Sequence, residues 1–132
     1  MPLTITALYA GILALLMLWL AVGVIGIRRS KSIAMGDGGD ELLGRRIRGH
    51  ANATETIPIA IILLALTEMS GAPSAIVHLL GILLVAGRTL HGLHFRETRQ
   101  GITLRFWGML MTITAIALMA IGLIGHSLIG SF

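Results

Sequence analysis

Arg45, Arg48, Asn52 and Glu55 follow one another at intervals of three, four and three residues. Residues three and four apart share one face of a helix, so this stretch aligns two guanidinium groups, an amide and a carboxylate. Guanidinium forks take carboxylates in two-pronged fashion. The amide of Asn52 both donates to and accepts from a peptide bond, and Glu55 can hold an ammonium group. A small zwitterionic anion with peptide character fits such a row. Pro58 follows Glu55 by three; it removes a backbone hydrogen bond, kinks the helix and frees a carbonyl near this face. A structural reading stays open beside this one. Arg48 can pair with Glu55 within the helix, with Asn52 bonding a neighbouring helix.

A second group lies further on. Arg88 and His91 share a face, with Phe95 or Arg99 a turn beyond. Arg96, Arg99 and Arg105 cluster after them, and Arg28 and Arg29 lie near the start of the chain. Together these residues predict a cationic cavity built from several helices. Arg28, Arg29 and Lys31 also suit lipid headgroups, with Arg28 turned inward. His50 lies on a different face from Asn52, and His78 and His126 sit in apolar surroundings, so all three read as structural. His91 and His94 have a spacing that two metal ligands could use, but the zone is strongly cationic, and no metal site is expected. The chain has no Cys, so any thiol chemistry must use a bound thiol. The Gly-rich stretch from Ser32 to Glu41 lacks the Lys-Ser/Thr ending of a phosphate loop and carries three acids, so it reads as a flexible connection.

The elements that position these residues are apolar. Of the 132 residues, 55% are hydrophobic and 12% charged, half the charge of a typical soluble domain. That excludes both a soluble globular domain and a disordered chain. Mean hydropathy is +0.90. Leu3 to Ile27 and Phe106 to Phe132 carry no charged residue, and each run is long enough to cross a bilayer. The start lacks the basic residues of a signal peptide, so the first run reads as a retained span. Two weaker segments lie between, separated by the Gly71–Pro73 turn. The expectation is one all-α, four-helix membrane domain over 1–132, with helices at about 3–28, 44–69, 73–96 and 103–130.

All ten Lys and Arg lie in or beside the first and third connections. Four spans put those two connections on one side, and the positive-inside rule makes that side cytoplasmic. Both termini are then expected on the non-cytoplasmic side. The net charge of +4 is thus a topology signal, and no nucleic-acid partner is expected.

The stretch Arg45 to Pro58 resembles the MAPEG family, the membrane-associated proteins in eicosanoid and glutathione metabolism. Its Arg-x-x-x-Asn-x-x-Glu-x-x-Pro signature is matched by Arg48, Asn52, Glu55 and Pro58. Asp37-Gly38-Gly39 ahead of it is similar to the small bacterial branch, which implies an inner-membrane location. The resemblance implies a homotrimeric four-helix bundle with glutathione between neighbouring subunits near the cytoplasmic side. It implies that Arg48, Asn52 and Glu55 hold glutathione with help from Arg28, and that Arg88 and His91 contact it. Arg45, on the same face, joins that set. Arg105 is the best match for the family's thiolate-stabilising arginine, with Arg96 and Arg99 as alternatives. The implied activity is a transferase or peroxidase acting on lipophilic electrophiles or lipid hydroperoxides. The alternatives are a non-catalytic protein that binds lipid or glutathione, and a structural subunit of a membrane assembly. Phe95 departs from the pattern, because several family enzymes carry a tyrosine there.

Overall fold

The computed structural model describes residues 3–98 and 101–130. Arg99, expected in the third connection, lies outside the described residues. Four helices account for most of the chain: α1 Thr4–Lys31, α2 Glu41–Met69, α3 Ser74–His94 and α4 Thr103–Ile129. All four are long and apolar enough to cross a membrane. At 1.5 Å per residue, the 21 residues of α3 span about 31 Å, close to the thickness of the hydrocarbon core. The other three are longer by roughly two turns, so their Arg-bearing ends project beyond that core.

The helix ends differ from the expected ones for local reasons. Asp40 caps α2, its Oδ1 accepting from the Leu43 N–H at 2.7 Å, so the helix begins at Glu41 rather than near 44. Lys31, the last residue of α1, forms an ion pair with Asp40, which carries α1 beyond 28 and closes the first connection. Ser32 then turns the chain with a left-handed φ of 54°. α3 stops at His94, with Phe95 as its C-cap.

At the opposite end, α1 has no side-chain cap of its own. Glu68, from the end of α2, takes that role. Its two carboxylate oxygens accept from the Ile5 and Thr6 N–H groups at 3.0 and 2.7 Å. These are orphan donors of a helix N-terminus, where a negative charge is favoured.

α2 and α3 form the middle of the bundle. Each packs against all the other helices, whereas α1 and α4 do not touch among the described residues. Leu13, Ile57, Leu64, Val77, Leu84, Ala115 and Met119 fill the centre. α3 and α4 approach through Gly87 and Gly108. A Cβ on Gly108 would lie 2.6 Å from the backbone nitrogen of His91, and one on Gly87 2.8 Å from the Gly108 carbonyl oxygen. Many Leu and Ile side chains stay exposed around the outside, as lipid-facing helices require.

Candidate functional site

α2 and α3 bring Asn52, Arg88 and His91 together. Arg88 is only 1% exposed and His91 2%. Arg88 Nη1 donates to Asn52 Oδ1 at 2.8 Å. Its Nη2 lies 3.2 Å from His91 Nδ1. A guanidinium can only donate, so that ring nitrogen must be the acceptor and the imidazole proton sits on Nε2. Arg88 Nε is buried without a partner, and the only ion pair among the described residues is Lys31–Asp40. The bundle therefore holds a buried cation with no matching anion, a costly arrangement for a closed protein. The Asn52 amide keeps its NH₂ group available.

Phe95 organises a second cluster. The guanidinium carbons of Arg45 and Arg105 lie 5.7 and 5.8 Å from its ring centre. The His91 and His94 rings lie 5.0 and 4.8 Å away. Phe95 in turn packs on Gly49, where a Cβ would come within 2.7 Å of the Phe95 Cβ. Arg45 is tied down further. Its Nη2 donates to the His94 carbonyl at 2.7 Å and its Nε to the Glu97 carbonyl at 2.9 Å. A cation on the last carbonyls of α3 is well placed against that helix's dipole. Arg45 thus staples the start of α2 to the end of α3.

The remaining expected residues do not join these clusters within one chain. Arg48 and Glu55 are exposed and form no ion pair with each other. The reason lies in the angle of the stripe. At about 100° per residue, Arg45 and Asn52 fall within about 20° of each other, while Arg48 and Glu55 sit some 60–80° round the helix. One edge of the stripe meets α3 and the other faces outward. Arg28 is half-buried, and its Nη1 donates to the Ala34 carbonyl at 3.0 Å in its own first connection.

The other candidates separate cleanly. Arg96 leans towards α1, its guanidinium 5.5 Å from the Trp19 ring centre. His78 Nδ1 bonds the Tyr9 hydroxyl at 3.0 Å near the opposite end of the bundle, and His126 is exposed. Among the described residues no three His, Cys, Asp or Glu cluster as a metal would need.

Arg46 went unrecognised in the sequence. It donates to the carbonyl of Gly23 at 3.2 Å and twice to that of Arg96 at 3.3 Å, clipping α1 to the third connection. Glu68 was likewise missed. Its signal was available: an acid at the end of one span, and a neighbouring span that opens Thr4-Ile5-Thr6 without a capping acid.

Comparison with known proteins adds the context of the whole chain. The model of the MAPEG family matches residues 6–125. The chain is 41% identical over 116 residues to the inner membrane protein YecN of Escherichia coli K12, covering 84% of this chain and 88% of that protein. It is 41% identical, with the same coverage, to the inner membrane protein YecN of Escherichia coli O6:H1 strain CFT073.

Proposed function

The chain belongs to the MAPEG family, and on that premise we propose that it is a glutathione-dependent transferase or peroxidase of the bacterial inner membrane. Its substrates are lipophilic electrophiles or lipid hydroperoxides that reach the site from the bilayer. One observation carries this reading. Arg48 and Glu55 stand exposed without an ion-pair partner, beside an Asn52 whose amide is already anchored by the buried Arg88. The outward edge offers a cation to a carboxylate and an anion to an ammonium group. The inward edge offers an amide to a peptide bond, backed by a cation that lacks an anion. Glutathione carries all of those complements.

Because Arg48 and Glu55 face outward and Arg28 stays in its own connection, the site is completed between subunits of a homotrimer. A neighbouring copy supplies Arg28. The Arg-rich end faces the cytoplasm, where glutathione is held, and both termini lie on the other side.

Arg105 is the residue that activates the thiol. A free thiol has a pKa near 8.5 and is mostly protonated at neutral pH. A guanidinium beside the sulfur favours the thiolate. An ionisation made a hundredfold more favourable corresponds to about 2.7 kcal/mol. Arg45 and Arg105 stand at the same Phe95 ring, so the field there is cationic. In transfer, the thiol proton leaves to water and the thiolate sulfur bonds the electrophilic carbon, while the bond from that carbon to its leaving group breaks and the leaving group departs with the electron pair and takes up a proton from water. In peroxide reduction, two thiols are oxidised to a disulfide while the hydroperoxide is reduced to an alcohol and water. A ligand-holding role without chemistry is favoured by Phe95 itself, whose ring brings no hydroxyl to the site. Turnover that disappears in Arg105→Ala would exclude that second reading.

Calorimetric titration of detergent-purified protein with glutathione tests the proposal. Saturable binding that weakens at least tenfold in Arg48→Ala is expected. Absence of binding in the native protein contradicts it.

A further inference from the structure

His94 is a buried imidazole that the proposed chemistry leaves unused. It is the last residue of α3 and only 6% exposed. Its Nε2 lies 3.4 Å from Arg45 Nη2, and its Nδ1 lies 3.3 Å from the Gly101 carbonyl oxygen. A guanidinium only donates and a carbonyl only accepts. Each partner alone therefore demands the same tautomer, with the proton on Nδ1. The ring is a neutral bridge from the start of α2 to the residue before the N-cap of α4.

α4 needs such a tie. Its N-cap, Ile102, supplies no side-chain hydrogen bond. Gly101, Arg105 and Gly108 follow one another at intervals of four and three, so they line one side of the chain as it enters the helix. His94 holds the first of them, and the last closes on the backbone of α3 at His91. Arg105 stands between these two points, its guanidinium carbon 5.8 Å from the Phe95 ring centre. His94 flanks that ring too, edge to face, with the centres 4.8 Å apart and the planes at 90°. It thus touches both the ring beside Arg105 and the backbone one turn ahead of it.

We propose that His94 is a positioning residue for Arg105. Held by Arg45, it fixes the Gly101 carbonyl and the Phe95 ring, and these set where the Arg105 guanidinium stands. The inference rests on the reading of Arg105 as the group that ionises a bound thiol. Arg105 is exposed, and a long side chain in that setting reaches many positions. Its attraction for a thiolate falls as the distance grows, so an anchored backbone and ring make the charge effective. The charged and titratable groups round Phe95 are Arg45 from α2, His91 and His94 from α3, and Arg105 from α4. Replacing a neutral His94 removes no charge from this group. A change in thiol ionisation then reports a displaced guanidinium.

Asparagine and glutamine divide the two bonds of the ring. The amide nitrogen of asparagine lies two bonds from Cβ, as Nδ1 does, and points to Gly101. The amide end of glutamine lies three bonds away, as Nε2 does, and points to Arg45. Thiolate absorbance is followed against pH on detergent-purified protein at saturating glutathione. Its midpoint should rise by about one pH unit, a tenfold loss of ionisation, in His94→Leu and His94→Gln, and stay within about 0.3 pH unit of native in His94→Asn. S-methylglutathione, which has no thiol proton, should bind the native protein and every variant equally by calorimetry. Amide exchange at Phe106 and Trp107 should be about tenfold faster in His94→Leu and return to the native rate in His94→Asn.

A midpoint that His94→Leu leaves unchanged overturns the proposal. So does a midpoint in His94→Asn equal to that in His94→Leu. Weaker binding of S-methylglutathione by His94→Leu overturns it as well, because His94 would then hold the ligand or the fold. Should His94→Leu fail to assemble, His94→Asn set against His94→Gln decides, since both keep a polar side chain. A native protein without any thiolate signal contradicts the role of Arg105 in ionisation. Amide exchange then decides whether His94 holds the start of α4, and equal rates in native protein and His94→Leu overturn that too.

Discussion

Arg88 and Arg48 carry the same charge in opposite circumstances. Arg88 is buried and donates to Asn52 Oδ1; Arg48 is exposed. Removing a partner from a buried charged donor leaves that donor desolvated and unsatisfied. Asn52→Leu should therefore lower stability by about 2 kcal/mol. Arg48→Ala should change it by no more than about 0.5 kcal/mol. Both should weaken glutathione binding about 10- to 100-fold, the worth of one charge-assisted hydrogen bond. Thermal unfolding without glutathione, set beside calorimetry with it, separates the two effects. A large stability loss in Arg48→Ala would mean that its charge serves the fold.

Asp40 acts on a different timetable of pH. Its hydrogen bond from Lys31 holds the carboxyl below its ordinary value of 3.8, helped by the Leu43 N–H. The charged form is the one favoured in the fold. The stabilisation is thus fully present above the ordinary carboxylate value and is lost as pH falls through the lower, folded one. Amide exchange at Leu43 should stay slow from neutral pH down to about 5, after correction for intrinsic exchange, and speed up only below about 4. Asp40→Asn should exchange faster at neutral pH and lose the dependence. An unchanged profile in Asp40→Asn would remove the charge from the account.

At the scale of the helices, glycine decides how closely they pack. Gly108 faces the backbone of His91, and a Cβ there has no flexible side chain to displace. Gly108→Ala should cost about 1–3 kcal/mol by forcing α3 and α4 apart. Gly122 lies on the same helix with open space beside it. Gly122→Ala should stabilise by about 0.5–1 kcal/mol, because it removes backbone freedom from the unfolded chain. Unfolding midpoints of the two variants should move in opposite directions, and a shared direction would contradict the packing argument.

The four helices were legible because hydropathy is a local property. A charge-free run from Leu3 to Ile27 needs no knowledge of neighbours to read as a span. The stripe on α2 was legible as a stripe, since three-four spacing is also local. Its rotation was not. Which edge meets α3 depends on how α2 rolls in the bundle, and that is set by packing at Ala53, Ile57 and Leu64. Phe95 is the clearest case of what a linear pattern hides. As a departure from a tyrosine it read as a missing hydroxyl, whereas in the fold its ring gathers Arg45, Arg105, His91 and His94. Arg46 was hidden for a related reason, because its acceptors are backbone carbonyls, which carry no sequence signal.

Taken whole, one chain is a bundle with its polar site half open. Asn52, Arg88 and His91 meet inside it, Arg45 and Arg105 meet at Phe95, and Arg48 and Glu55 look outward. In the homotrimer proposed above these parts are joined, so glutathione should stabilise the assembly as well as the fold. Native mass spectrometry should find three copies, and ligand should raise the energy at which they separate. A monomer that binds glutathione at full affinity would contradict this arrangement.

The proposed activity requires this site both to bind a thiol and to ionise it. Its most direct test is the difference absorbance of the thiolate band as detergent-purified protein is titrated with glutathione at neutral pH. Thiolate absorbance should rise saturably and the rise should disappear in Arg105→Ala while binding by calorimetry persists. Glutathione that binds without any thiolate signal in the native protein would contradict it.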